Sequence, residues 1–151
     1  GQDEKGKGTS ETFLLDPLQC YIRNTQLDYC VVALKGEVFK QKLDYLPIGE
    51  PQKWAHIIHH PNGGNKKVSF RNNSIRKRKE ISIYYTSATD FGSSGAPIFD
   101  DYWNWIGIHT GSVPDPQRPH KFHLNKGIRA DQIMEDLKRN EVYMNYNRQV
   151  I

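Results

Sequence analysis

The segment best suited to covalent chemistry is Gly92-Ser93-Ser94-Gly95-Ala96-Pro97, with Ser94 as the candidate nucleophile. A serine hydroxyl attacks poorly until a base takes its proton and donors receive the oxyanion that forms. Glycines on both sides permit positive φ and close backbone approach, so the N–H groups of Gly92 and Ser94 can aim at one point as an oxyanion hole. Glycine and serine also favour ordinary surface turns, and the six residues alone fit that description equally well. Their flanks tip the balance. Pro97 opens an apolar stretch, Ile98-Phe99, which passes through a turn at Asp100–Asn104 into Trp105-Ile106-Gly107-Ile108-His109-Thr110-Gly111.

A nucleophile of this kind needs a base and a group to orient it. Asp28, in Leu27-Asp28-Tyr29-Cys30-Val31-Val32-Ala33-Leu34, stands just ahead of an apolar strand. There it could hold an imidazole in one tautomer and stabilise the imidazolium; the plainer alternative is a strand-edge carboxylate facing water. Asp44, in a second Leu-Asp-Tyr, lacks a following apolar run. The six histidines all lie at or beyond His56. His56 and His59, three apart in a β-type run, face opposite sides, and His60 before Pro61 suits a turn, so none of the three is the expected base. His120 and His123 have a helical zinc spacing, but Pro114, Pro116 and Pro119 argue against a helix there, and no Cys pair assists. No metal and no cofactor are expected.

The elements that must hold these residues are mostly strands. Runs of apolar and β-branched residues occur at 19–22, 29–34, 54–59, 67–70, 81–85, 97–99, 105–110 and 127–129, with turn-forming clusters at 61–65, 100–104 and 112–116. Many short strands closed by turns predict an all-β sandwich or barrel. One helix is predicted from about Ala130: Ile133, Met134 and Leu137 share a face, acids lead, and Lys138 and Arg139 close it. Pro47, Gly49 and Pro51 mark Asp44–Pro51 as a connector. The division expected is 1–48, a small β unit with its linker; 49–140, a six-stranded unit with its helix; and 141–151, a tail without usable periodicity.

The order of a Leu-Asp-Tyr strand, a Trp54-Ala55-His56-Ile57-Ile58-His59-His60-Pro61 hairpin with Gly63-Gly64 and Lys66-Lys67, and the Gly-Ser-Ser-Gly-Ala-Pro turn resembles the trypsin-like serine proteases. It is most similar to the nuclear trypsin-like proteases called family with sequence similarity one-hundred-eleven, which act near replication forks and on DNA–protein crosslinks. The resemblance runs over roughly Phe13 to Leu137. It implies a chymotrypsin-type fold, with a complete second β-barrel, a partial first barrel and a C-terminal helix. It also implies Ser94 as nucleophile, Asp28 as orienting acid, and Gly92 and Ser94 as the oxyanion hole. In that superfamily the base is a first-barrel histidine preceding the acid, a region absent from these residues. The resemblance therefore implies either a fragment of a longer serine endopeptidase, the favoured expectation, or a catalytically inactive pseudoprotease that binds proteins or peptides by strand pairing along Ile106–Gly111.

Substrate-binding positions carried by the resemblance are Ala88, Thr89, Ile108, His109, Thr110 and Gly111. Ala88, at the base of the primary pocket, lacks the acid that selects Lys or Arg. Thr89 and His109 resemble the pocket pair of glutamyl endopeptidases, which implies an acidic or Gln preference. The nuclear family, with a His on the same strand, implies a large apolar or aromatic one.

Composition sets the remaining bounds. The chain has 151 residues, 36% of them hydrophobic, and a net charge of +4, with mean hydropathy −0.75. No apolar run approaches the roughly 20 residues a membrane helix needs, and no signal-peptide pattern opens the chain. The polar start from Gly1 to Thr12 suggests a cut edge. Cys20 and Cys30 sit in apolar runs and read as reduced, buried thiols of an intracellular protein, for which the resemblance implies a nuclear setting; a bridge between them is the lesser alternative. Arg71, Arg76, Lys77, Arg78 and Lys79 place five cations in nine residues. Such a run suits a solvated hairpin loop, or a nuclear address or DNA contact.

Overall fold

The computed structural model describes residues 12–36, 46–115, 119 and 123–140. The chain divides into two compact units, Gly1–Thr25 with Tyr29–Asp44, and Gln26–Asp28 with Tyr45–Ile151.

In the first unit, β1 (Leu15–Asn24) pairs antiparallel with β2 (Tyr29–Leu34), and the register slips between Asp16 and Tyr21. Gln19 N–H donates to Asp16 Oδ1 inside that irregular stretch. Alternation buries Tyr29 and Ala33 but leaves Leu15, Leu18 and Tyr21 exposed. Among the described residues this unit is a two-stranded ribbon without a second layer for both faces, which corrects the expectation of buried thiols. Cys30 is exposed, Cys20 is half-buried, and both are free.

The second unit contains β3 (His56–His59), β4 (Lys67–Ser69), β5 (Ile75–Arg78), β6 (Ser82–Tyr85), β7 (Pro97–Phe99), β8 (Trp105–Pro114), β9 (His123–Arg129) and α1 (Ala130–Arg139). Its strands run antiparallel in the order β4-β3-β7-β8-β9-β6-β5. The ends of that sheet meet. Trp54 bridges Ser74, Ala55 N–H donates to Asn73 O, and Ile75 N–H donates to Lys53 O. Residues entering β3 thus pair with residues entering β5, and β4 and β5 are two halves of one stave broken near Asn72, where φ is +53°. Counted that way the sheet closes into a six-stave barrel. The all-β, trypsin-like fold with a complete barrel and a C-terminal helix is therefore as expected.

Inward positions carry the core. Ala55, Ile83, Tyr85, Ile98 and Ile106 are fully buried together, with Ile75 packed against them. Each such isoleucine contributes about 1.5–3 kcal/mol by leaving water. β3 places Ile57 and His59 inward and His56 and Ile58 outward, the period-2 alternation of a pleated strand. At α1, Ala130 and Ile133 are buried, Asp131 lies in the first turn, and Lys138 and Arg139 lie in the last. The helix packs on β8 and β9.

Three expectations need correction. The basic run is not a loop throughout: Ile75–Arg78 is β5, drawn into the barrel because Ile75 packs on the core. β8 and β9 extend beyond the predicted 105–110 and 127–129, since Val113 and Leu124 remain in register despite nearby turn-forming residues. The connector also joins the ladder, because Ile48 bridges Trp105 and Gly49 N–H donates to Trp105 O. Asp44, His120 and the tail 141–151 lie outside the described residues.

Candidate active site

The nucleophile turn links the residues after β6 to β7. Two successive turns shape it: Ser93 N–H donates to Asp90 O at 3.1 Å, and Ala96 N–H donates to Ser93 O at 3.1 Å. Its exit is fastened to β8, with Gly95 N–H to His109 O at 2.8 Å and His109 N–H to Ala96 O at 2.9 Å. Gly92 and Gly95 have φ of +85° and +83°, a region that side-chain-bearing residues enter at a cost of about 1–2 kcal/mol. A Cβ on Gly92 would also lie 3.1 Å from His60 O. Glycine at 92 therefore follows from both conformation and space.

This geometry has a chemical consequence. Ser94 is exposed at the tip. Among the described residues, the N–H groups of Gly92 and Ser94 have no hydrogen-bond partner, whereas those of Ser93, Gly95 and Ala96 all do. Two free donors flanking one exposed hydroxyl are what an oxyanion site requires.

The loop after β3 braces the turn from beneath. Asn62 N–H donates to Phe91 O at 2.6 Å, and Asn62 Nδ2 donates to Asp90 Oδ2 at 2.8 Å. Asp90 Oδ1 receives Phe91 N–H. Those bonds, Asn62's first, hold the Asp90 carboxyl below the usual range. Ser93, 1% exposed, is bonded through Oγ to His59 Nδ1 at 2.8 Å. The sequence did not point to His59, Asn62 or Ser93 as site residues. Its one hint was the odd spacing that turns His59 inward from β3.

The positions expected to bind substrate lie on β8 and on the segment after β6. Ala88 is exposed, and its carbonyl accepts the Ser69 hydroxyl at 2.8 Å. Thr89 Oγ1 donates to Asn125 Oδ1 at 2.7 Å, and Asn125 Nδ2 donates to Ser87 O. Ile108 and Thr110 are half-buried on β8, where the register slips between His109 and Gly111. His109 is 4% exposed, and its Nδ1 lies 2.8 Å from the Tyr85 hydroxyl. Burial, then the nearby His59, lowers the His109 pKa to about 4, so the ring is neutral at pH 7. The Tyr85 hydroxyl is kept protonated by burial. Its proton has no other partner, so it donates to Nδ1 and leaves the His109 proton on Nε2.

Asp28 sits in the turn before β2, exposed, with φ of +47°. None of the five described histidines bonds to Asp28 or to Ser94. His56 is held between Asn73 Nδ2 and Asp101, 2.8 Å from each; His60 Nδ1 bonds to Gly64 O. His123 begins β9, a strand, so the 120–123 pair has no helical geometry at that end. Among the described residues no three His, Cys, Asp or Glu side chains cluster to hold a metal.

A cavity of about 1220 Å³ opens where β4 and β5 separate. Arg71, Arg76, Trp54 and Phe70 line it together with Ala88, but Ser94, Thr89 and His109 do not. It is therefore distinct from the nucleophile turn.

An antiparallel barrel that presents a glycine-flanked serine between two free amide donors defines a trypsin-like peptidase domain. The chain belongs to that family, the trypsin-like peptidase domain, which residues 7–108 match. It is similar to a protein of Sinorhizobium fredii named uncharacterized protein y4fB, with 30% identity over 123 residues. The match covers 68% of this chain and 18% of that relative, so the chain spans less than a fifth of its length.

Proposed function

We propose that this chain is the nucleophile-bearing part of a serine endopeptidase that cleaves peptide bonds through an acyl-enzyme on Ser94. The observation that carries the reading is the pair of unpartnered N–H groups, Gly92 and Ser94, beside an exposed hydroxyl. In attack, the Ser94 proton passes to a histidine base, and Asp28 steadies the resulting imidazolium. As the resemblance implies, the base is assigned to a first-barrel histidine; none of the described histidines bonds to Asp28 or Ser94. The Leu-Asp-Tyr strand and His-Pro hairpin favour kinship with the nuclear trypsin-like proteases, and with it an intracellular, nuclear setting.

Substrate selection follows from the pocket chemistry. Ala88 offers no carboxylate to a Lys or Arg side chain. His109, neutral with its proton on Nε2, offers a hydrogen-bond donor without charge. We read the pocket as one for uncharged side chains, apolar or Gln. The test is hydrolysis of a peptide library by the full-length protein. The expectation is cleavage after uncharged residues, abolished in Ser94→Ala. Peptide binding without turnover, unchanged in Ser94→Ala, would establish the pseudoprotease alternative instead.

A further inference from the structure

The inward-facing His59 stands in a chain of hydrogen bonds whose direction can be deduced from its ends. Ser69 Oγ donates its only proton to Ala88 O at 2.8 Å. Its contact with His59 Nε2, at 3.3 Å, must then run the other way, with Nε2–H donating. His59 Nδ1 is left as an acceptor, and Ser93 Oγ–H, 2.8 Å away, donates to it. Ser93 Oγ in turn accepts Asp90 N–H at 3.1 Å. Each proton and each needed lone pair is used once. Buried polar groups persist only when satisfied in this way, and His59 and Ser93 are 4% and 1% exposed.

The ring's surroundings keep it in this form. Lys67 is its cross-strand partner on β4, His60 follows it in the chain, and protonation of His59 would oppose protonation of His109 on β8. Burial, Lys67 and His60 all lower the His59 pKa.

We infer that His59 is a positioning residue: as the Nε2–H tautomer it couples the Ala88 carbonyl, through Ser69, to the nucleophile turn, through Ser93, whose own peptide unit carries the Ser94 N–H. The link joins the carbonyl of Ala88, the residue expected at the base of the primary pocket, to the nucleophile turn, and its catalytic consequence rests on the peptidase reading above. Fixing the Ser93 side chain limits rotation of the Ser93–Ser94 peptide unit, which bears one donor. The Phe91–Gly92 unit, which bears the other, is held by Asn62 N–H on Phe91 O and lies within the turn that Ser93 Oγ closes onto Asp90 N–H.

The test compares His59→Phe, which keeps an aromatic ring but removes both nitrogens, with His59→Gln, whose planar amide keeps one donor and one acceptor. Long-range nitrogen–proton NMR on the full-length protein should show His59 neutral with the proton on Nε2. Amide exchange at Ser93 and Ala96, the turn's own bonds, should accelerate about tenfold or more in His59→Phe and return toward wild type in His59→Gln, with Ala55 in the core unchanged. Turnover of a peptide substrate should fall about ten- to hundredfold in kcat with KM nearly constant, short of the 10²–10³ lost with a whole oxyanion donor, and His59→Gln should restore most of it. If Ala55 also exchanges faster, the barrel itself has loosened, and Ser93→Ala then decides by the same amide readout. A proton on Nδ1, or unchanged exchange at Ser93 and Ala96, overturns the inference. If the wild-type protein hydrolyses nothing, the peptidase reading fails, while the tautomer and exchange results still decide the role of His59 in the turn.

Discussion

Acid should destabilise this barrel through His109 before most carboxylates titrate. The ring is buried against Tyr85 and its pKa falls from 6.5 to about 4. An unfolded chain therefore binds a proton near pH 6.5 that the folded chain refuses. Stability from this site is complete above pH 6.5 and is lost as the pH drops toward 4. At about 1.4 kcal/mol for each pH unit in that window, the loss has an upper bound of about 3.5 kcal/mol, large against a typical domain stability of about 5–15 kcal/mol. His59, lowered by burial and by Lys67, acts in the same direction. Urea unfolding followed by tryptophan fluorescence between pH 7.5 and pH 4.5 would measure the effect. His109→Gln, which retains polarity without titrating, should flatten part of the slope, and the difference between the two curves isolates the ring. Parallel curves for wild type and His109→Gln would refute the reasoning.

Other outcomes follow from the same geometry. Gly92→Ala should cost about 1–2 kcal/mol from its φ alone, and more because its Cβ meets His60 O; chemical denaturation measures the loss, and activity should fall further than stability. Ala88→Asp in the full-length enzyme should shift peptide-library cleavage toward Lys and Arg, since a carboxylate would enter the pocket. If the basic stave contacts DNA, affinity should fall steeply with salt and vanish when Arg76, Lys77, Arg78 and Lys79 are neutralised, as read by fluorescence anisotropy.

Much of the fold was legible because β structure records itself in alternation. Tyr29–Leu34 and Pro97–Phe99 were bounded correctly from apolar runs and turn residues alone. The failures have physical causes. β5 was hidden because its outward positions are all cationic and only Ile75 signals the core. The thiols looked buried because an apolar run states a preference, while burial needs a second layer to supply it. At the site, the glycine-flanked serine was readable since its conformation is encoded locally. The supporting network was not. His59 and Ser93 lie 34 positions apart, and only barrel closure brings them together. Asn62 likewise reads as a turn residue until its side chain is seen on Asp90.

Covalent capture of the nucleophile tests the central claim most directly. A fluorophosphonate probe applied to the full-length protein, followed by peptide mapping, should place a single adduct on Ser94 and none in Ser94→Ala. Failure to label, or an adduct that survives Ser94→Ala, would contradict the assignment of this turn as the seat of catalysis.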